Sequence, residues 1–210
     1  MEAAHHQTPE PTAPPAEPPT ALAVPPFAVA GPAATALLGS RLAAVLRPGD
    51  LVMLSGELGA GKTTLTRGLG EALGVRGAVT SPTFVIARVH PPLGAGPALV
   101  HVDAYRLGGG LDDMEDLDLD VSLADSVVVV EWGEGVVEEL TEKRLQIRID
   151  RAVGQAGEAT GAGGPGEQDE TRTVAVTAYG PRWQDPATVA ALSALGEGLD
   201  EAPAGGEEPV

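Results

Sequence analysis

Residues 51–74 read LVMLSGELGAGKTTLTRGLGEALG, and the change of pattern inside them decides the fold. Leu51 to Ser55 is a short, continuous apolar run, the mark of a strand buried on both faces. Gly56 to Thr63 then matches G-x-x-x-x-G-K-[ST]. Lys62 to Leu73 reads as a helix that stops at Gly74, a residue type common just past a helix C-terminus. The chain has only two lysines, Lys62 and Lys143, so a chance match to the motif has odds on the order of 0.3%. Strand, glycine turn and helix also follow one another in the order a phosphate cradle requires.

Each position in the motif has a physical reason. The backbone around Gly59, Ala60 and Gly61 turns successive N–H groups inward as an anion nest, and the helix N-terminus adds partial positive charge. Lys62 would reach the β- and γ-phosphates, Thr63 would ligate Mg²⁺, and Thr64 would meet the α-phosphate. The plain alternative is a glycine-rich turn beside a solvated lysine. Such a cradle needs a further carboxylate to hold the metal. Asp103 closes ALVHVD and Glu131 closes VVVVE, each an apolar run ending in an acid. Either one is also readable as a solvated strand end, and the pattern does not rank them. Ser81-Pro82-Thr83 lies between the motif helix and the next strand, where a hydroxyl senses phosphate or Pro simply sets a strand-entry turn. His101, Tyr105 and Arg106 gather around Asp103, a polarity that suggests a site rather than core. Trp132 follows Glu131 directly, either near the ligand or as packing, while Trp183 is expected to pack beside the last strand.

The rest of the chain alternates in an α/β manner. Thr35 to Leu46 carries Leu38, Leu42, Val45 and Leu46 on one helical stripe. Phe84 to His90 and Ala98 to Asp103 read as a hairpin across PPLGAGP. Val127 to Glu131 is β-branched enough for a central strand. Arg144 to Asp150 and Arg172 to Ala178 alternate with period 2, each with one wet face expected. The fold expected is therefore an α/β, P-loop NTPase-like mixed sheet flanked by helices, within residues 33–194. Nine of the 19 prolines fall in residues 1–32, which is expected to be a disordered tail. Residues 153–170 are expected to form a flexible Gly-rich loop, and residues 195–210 a disordered acidic tail. Six acids in Leu111 to Asp120 read as a solvated helix face or an acidic docking surface.

Composition narrows the function. Among 210 residues, 13 Lys and Arg stand against 30 Asp and Glu, for a formal charge of -17. Such a surface repels phosphate backbones and argues against direct, salt-driven RNA or DNA binding by the domain. The absence of cysteine excludes a disulfide framework, a zinc–thiolate site and a Cys nucleophile. No apolar run reaches the roughly 20 residues of a membrane span, and the N-terminus lacks a basic signal-peptide region. A soluble, cytoplasmic protein with no membrane role is expected.

Taken together, the motif stretch, SPTF, HVDAYRL and VVVVEWGE resemble the TsaE family, the small ATPases of bacterial tRNA threonylcarbamoyladenosine synthesis. The likeness runs from about Thr35 to Asp150 and weakly on to Arg172. It departs in the Pro-rich N-terminus, the 153–170 insertion and the acidic C-terminus. The resemblance implies a weak ATPase that uses ATP and Mg²⁺ and partners TsaD and TsaB. Its hydrolysis would reset that complex, and tRNA would be met only through the complex. By position it implies Lys62 and Thr63 as phosphate and metal residues, Glu131 as a metal-shell acid and Asp103 as a second acid needed for activity. It likewise implies Thr83 as a switch-like threonine and Trp132 as half of the family's EW pair. Arg172 joins the candidate nucleotide-binding residues. A small-molecule P-loop kinase remains the alternative, though no arginine-rich lid is legible. A nucleotide-binding scaffold that never hydrolyses is the third reading.

Overall fold

The computed structural model describes residues 21–82, 85–106, 124–135, 137–141, 143–151 and 171–201. Thr83, Phe84, the acidic 111–120 stretch, the 153–170 loop and the outermost parts of both expected tails lie outside the described residues. Seven strands form one sheet: β1 (Ala21–Ala30), β2 (Leu51–Ser55), β3 (Ala87–His90), β4 (Ala98–Asp103), β5 (Ser126–Glu131), β6 (Arg144–Arg151) and β7 (Thr171–Tyr179). Their spatial order is β1-β7-β6-β2-β5-β4-β3. The pairs β2–β5, β2–β6 and β4–β5 are parallel, whereas β1–β7, β6–β7 and β3–β4 are antiparallel. This is the mixed α/β sheet expected, with a parallel centre and antiparallel edges.

Why the centre is parallel follows from burial. Every residue of β2 and β5 is buried, so neither strand has a wet face to offer. Val52, Leu54, Val127 and Val129 face one core, shared with three of the helices, while Leu51, Met53, Val128 and Val130 face a second core that includes Val137. Among the described residues the α-helices are α1 (Gly31–Val45), α2 (Lys62–Leu73), α3 (Val137–Leu140) and α4 (Pro186–Ser193). Leu38, Leu42 and Leu46 of the expected stripe are buried, and Val45 packs in part against the same core. The helix α1 begins four residues earlier than its apolar pattern, because Pro32 suits a first helical turn whose N–H groups have no partner anyway. Helices α1 and α2 approach through glycine: a Cβ on Gly39 would collide with the Leu65 carbonyl, and one on Gly68 with the Ala36 carbonyl.

Both expected tails give way where they meet the domain. Residues 21–30, placed in the N-terminal tail by their proline content, form β1 and pair along β7. Pro25 and Pro26 sit in the register shift between Val24 and Phe27, on an edge strand that tolerates lost N–H donors. Leu195 and Leu199, placed in the C-terminal tail, are buried in the core, and Ala30 N donates to Leu199 O at 2.7 Å. The hairpin also starts late: Ile86 at φ 66° breaks the extension, so β3 opens at Ala87. Trp183 is buried as expected, in a short 3₁₀ turn after β7. Arg182 covers its ring at 4.6 Å and donates to Val45 O, Thr188 Oγ1 and Asp50 Oδ2, tying α1, α4 and the turn before β2 together.

Candidate active site

The parallel strands β2, β4 and β5 all deliver their C-terminal ends to one edge of the sheet, the edge where α/β folds bind ligands. After β2 the chain makes the glycine loop and enters α2. Gly59 at φ 75° and Gly61 at φ 115° hold backbone conformations that L side chains rarely adopt, and Gly61 is the residue from which α2 springs. A cleft of about 390 Å³ opens beside the loop. Its walls include Gly59, Gly61, Lys62, Thr63 and Thr64 from the loop and helix, and Asp103, Glu131 and Trp132 from the strand ends.

Lys62 is 4% exposed, and its Nζ donates to the carbonyls of Gly56 at 2.7 Å and Glu57 at 3.0 Å. The same ammonium lies 3.8 Å from the centroid of the Trp132 ring, in cation–π range. Burial pushes the Lys62 pKa below its ordinary value, against the opposing pull of Glu131, Glu134 and Asp103. Trp132 reaches this position because it adopts φ 61°, which turns the chain sharply as β5 ends. A bulky residue in that conformation is a genuine outlier, of the kind that clusters at functional sites. The Tyr105 ring stands 5.6 Å from the Trp132 ring.

The two strand-end acids are register partners, Asp103 opposite Glu131, and so present their carboxyls on the same face. They are held differently. Thr63 Oγ1 donates to Glu131 Oε1 at 3.0 Å, and His101 Nε2 donates to the same oxygen at 2.8 Å. Asp103 Oδ1 instead accepts from Tyr105 N at 3.1 Å, closing the turn that follows β4. A Thr hydroxyl and two carboxylates are hard oxygen donors. Among the described residues no group of three or more His, Cys, Asp or Glu gathers as a metal cage. Such a sparse set fits Mg²⁺, which binds through one or two protein oxygens plus substrate phosphates and water.

Of the residues singled out from sequence, Gly59, Gly61, Lys62, Thr63, Thr64, Asp103, Glu131 and Trp132 line one cleft. Ala60 is wholly buried behind it. Arg172 meets the loop from outside, donating to Ala60 O at 3.2 Å. His101 proves to be both core and site: fully buried, and bonded to Glu131. Its signal was a polar residue two before Asp103 in an otherwise apolar strand, hence on the same face as that acid. Arg151, which donates to Leu58 O at 3.3 Å, carried no sequence signal.

The fold and the cleft define a protein of the P-loop NTPase-like α/β class. A family model described as Threonylcarbamoyl adenosine biosynthesis protein TsaE matches residues 29–158, and the chain belongs to the TsaE family. It is 75% identical over 146 residues to the tRNA threonylcarbamoyladenosine biosynthesis protein TsaE of Streptomyces coelicolor, a match covering 70% of this chain and 91% of that protein. The likeness to the TsaE of Bacillus subtilis is 38% over 154 residues, covering 73% of this chain and 85% of that one. Among solved structures, that of YdiB from Bacillus subtilis is similar at a TM-score of 0.58 and 30% identity, over 84% of this chain and 95% of the other.

Proposed function

We propose that this protein is the ATP-binding, ATP-hydrolysing accessory subunit of the machinery that makes N6-threonylcarbamoyladenosine at tRNA position 37. It acts in the cytoplasm on the TsaD–TsaB complex, resetting it between turnovers, and meets tRNA only through that complex. The observation that carries this reading is the joining of Lys62, Thr63 and Glu131 in one cleft at the C-terminal edge of the sheet, within a chain of this family.

The residues divide the work. The loop N–H groups receive the phosphates, and Lys62, released from the carbonyls of Gly56 and Glu57, neutralises charge on the β- and γ-phosphates. Thr63 and Glu131 would hold Mg²⁺, with Asp103 close by, and the ion when bound supplies Lewis-acid stabilisation of phosphate charge. Glu131 or Asp103 orients the attacking water. Trp132 closes over Lys62 and keeps solvent from the phosphate end. Thr83 would report the state of the γ-phosphate to partners. A charge of -17 suits a subunit that leaves tRNA contact to others.

The test is multiple-turnover tRNA threonylcarbamoylation by the purified TsaD–TsaB pair supplied with its activated intermediate. Wild-type protein is expected to sustain turnover beyond one equivalent, and Lys62→Ala to behave like no addition. Equal product in all three arms rejects the assignment.

A further inference from the structure

Arg151 and Arg172 are direct cross-strand partners in the β6–β7 ladder. Like charges in that relation destabilise a sheet, and this chain has only 13 basic residues to place. Both arginines also continue the alternation of the core-facing rows, at the end where those rows reach solvent. The row Leu145, Ile147, Ile149 continues into Arg151, and Arg172 precedes Val174, Val176 and Ala178; the six apolar members of these rows are all buried. Arg151 is exposed and Arg172 half-buried at the end of these rows, yet each guanidinium turns to a carbonyl of the glycine loop. Arg151 Nη2 donates to Leu58 O at 3.3 Å, and Arg172 Nε donates to Ala60 O at 3.2 Å. A Cβ on Gly59 would meet the tip of the Arg151 guanidinium, and the positive φ of 75° is what calls for glycine there.

The chain has no cis peptide among the described residues, so each peptide unit points its C=O and N–H in opposite directions. Holding Leu58 O toward Arg151 turns the Gly59 N–H away from it, and holding Ala60 O toward Arg172 does the same for the Gly61 N–H. Gly59 and Gly61 line the cleft, whereas neither arginine does. We infer that Arg151 and Arg172 are positioning residues: a pair of guanidiniums that clamps alternate outer carbonyls of the loop and so preorganises two N–H donors for a nucleotide's phosphates. The inference rests on the nucleotide-binding reading above for its ligand, but not for its geometry. It also ties the adjacent ends of β6 and β7 to the loop, because the two arginines are the last residue of one strand and the second of the next.

The experiment uses the full chain, with Arg151→Gln, Arg172→Gln, the double variant and the two Arg→Lys forms. Amide ¹H–¹⁵N spectra are recorded without ligand, and Mg-ADP affinity is measured by calorimetry at low salt and at about 0.5 M, where charge effects beyond about 4 Å are screened. Each Gln variant is expected to shift the Gly59 or Gly61 amide and weaken Mg-ADP binding by about three- to tenfold, with the loss persisting in salt. Lysine, which lacks the planar fork, is expected to restore it only in part. Unmoved Gly59 and Gly61 amides in the folded double variant overturn the clamp. So does a loss that vanishes in salt and is fully restored by lysine, since that is attraction at a distance. Wild-type protein that binds neither ADP nor ATP defeats the nucleotide reading instead, and the ligand-free spectra still decide the clamp.

Discussion

His101 Nε2 lies 2.8 Å from Glu131 Oε1, and both side chains are almost wholly enclosed. The contact crosses from β4 to β5 and fixes the carboxylate that also receives the Thr63 hydroxyl. The ring proton is therefore on Nε2, and Nδ1 is left buried without a partner among the described residues. If Glu131 holds Mg²⁺ as proposed, the buried donor on Oε1 would fix the orientation of the carboxylate that meets the ion.

Removing that donor has a defined consequence. His101→Leu leaves a buried carboxylate short of one hydrogen bond, at a cost of about 1–3 kcal/mol in unfolding free energy. His101→Gln, whose amide N–H can stand in for Nε2–H, should recover part of it. The Mg²⁺ concentration needed for half-maximal ATP hydrolysis is expected to rise in His101→Leu more than the KM for ATP does. Urea unfolding and a Mg²⁺ titration check both statements.

Lys62→Met is expected to abolish nucleotide binding, measured by calorimetry, without lowering the melting temperature. Burial holds the ammonium below its ordinary pKa of 10.5, which means the fold disfavours the charge it carries at pH 7. A neutral side chain of similar length removes that penalty, while the bonds to Gly56 and Glu57 carbonyls are lost. A steep drop in melting temperature without ligand contradicts this account.

His90 supplies a pH dependence remote from the loop. Its ring is buried beside the Arg76 carbonyl, and burial, above all, pushes its pKa below 6.5. The unfolded chain thus binds the proton more readily than the folded one. The stability His90 contributes is fully present above pH 6.5 and is lost as pH falls through the lower folded value. In His90→Gln this component of the acid-side slope should be absent. Denaturant midpoints of both proteins between about pH 7.5 and 5 measure it.

Gly39→Ala and Gly68→Ala should each destabilise, by about 1–3 kcal/mol, although alanine is the better helix former by about 1 kcal/mol. The added methyl meets backbone of the facing helix, Leu65 O in one case and Ala36 O in the other, and backbone cannot yield as a side chain tip can. Denaturant unfolding at constant m-value is the measurement. A gain in stability at either position means α1 and α2 are not in close contact.

What could be read directly from the residues was local. The loop of Gly56 to Thr63, its helix and its buried strand were legible because neighbours in sequence build them: glycines permit the turn, and a helix start offers N–H groups. Strands β4 and β5 announced themselves by apolar runs ending in Asp103 and Glu131. Pairing between distant segments was not legible. Strand β1 was hidden by Pro25 and Pro26, whose composition suggests a tail, because an edge strand's tolerance for proline depends on which neighbour it finds. The choice between Asp103 and Glu131 as the partner of Thr63, the His101–Glu131 bond and the meeting of Arg151 with Arg172 all depend on register between strands. Register is settled by long-range packing of two buried faces, and a slip of one residue would send each of these side chains to the opposite side of the sheet.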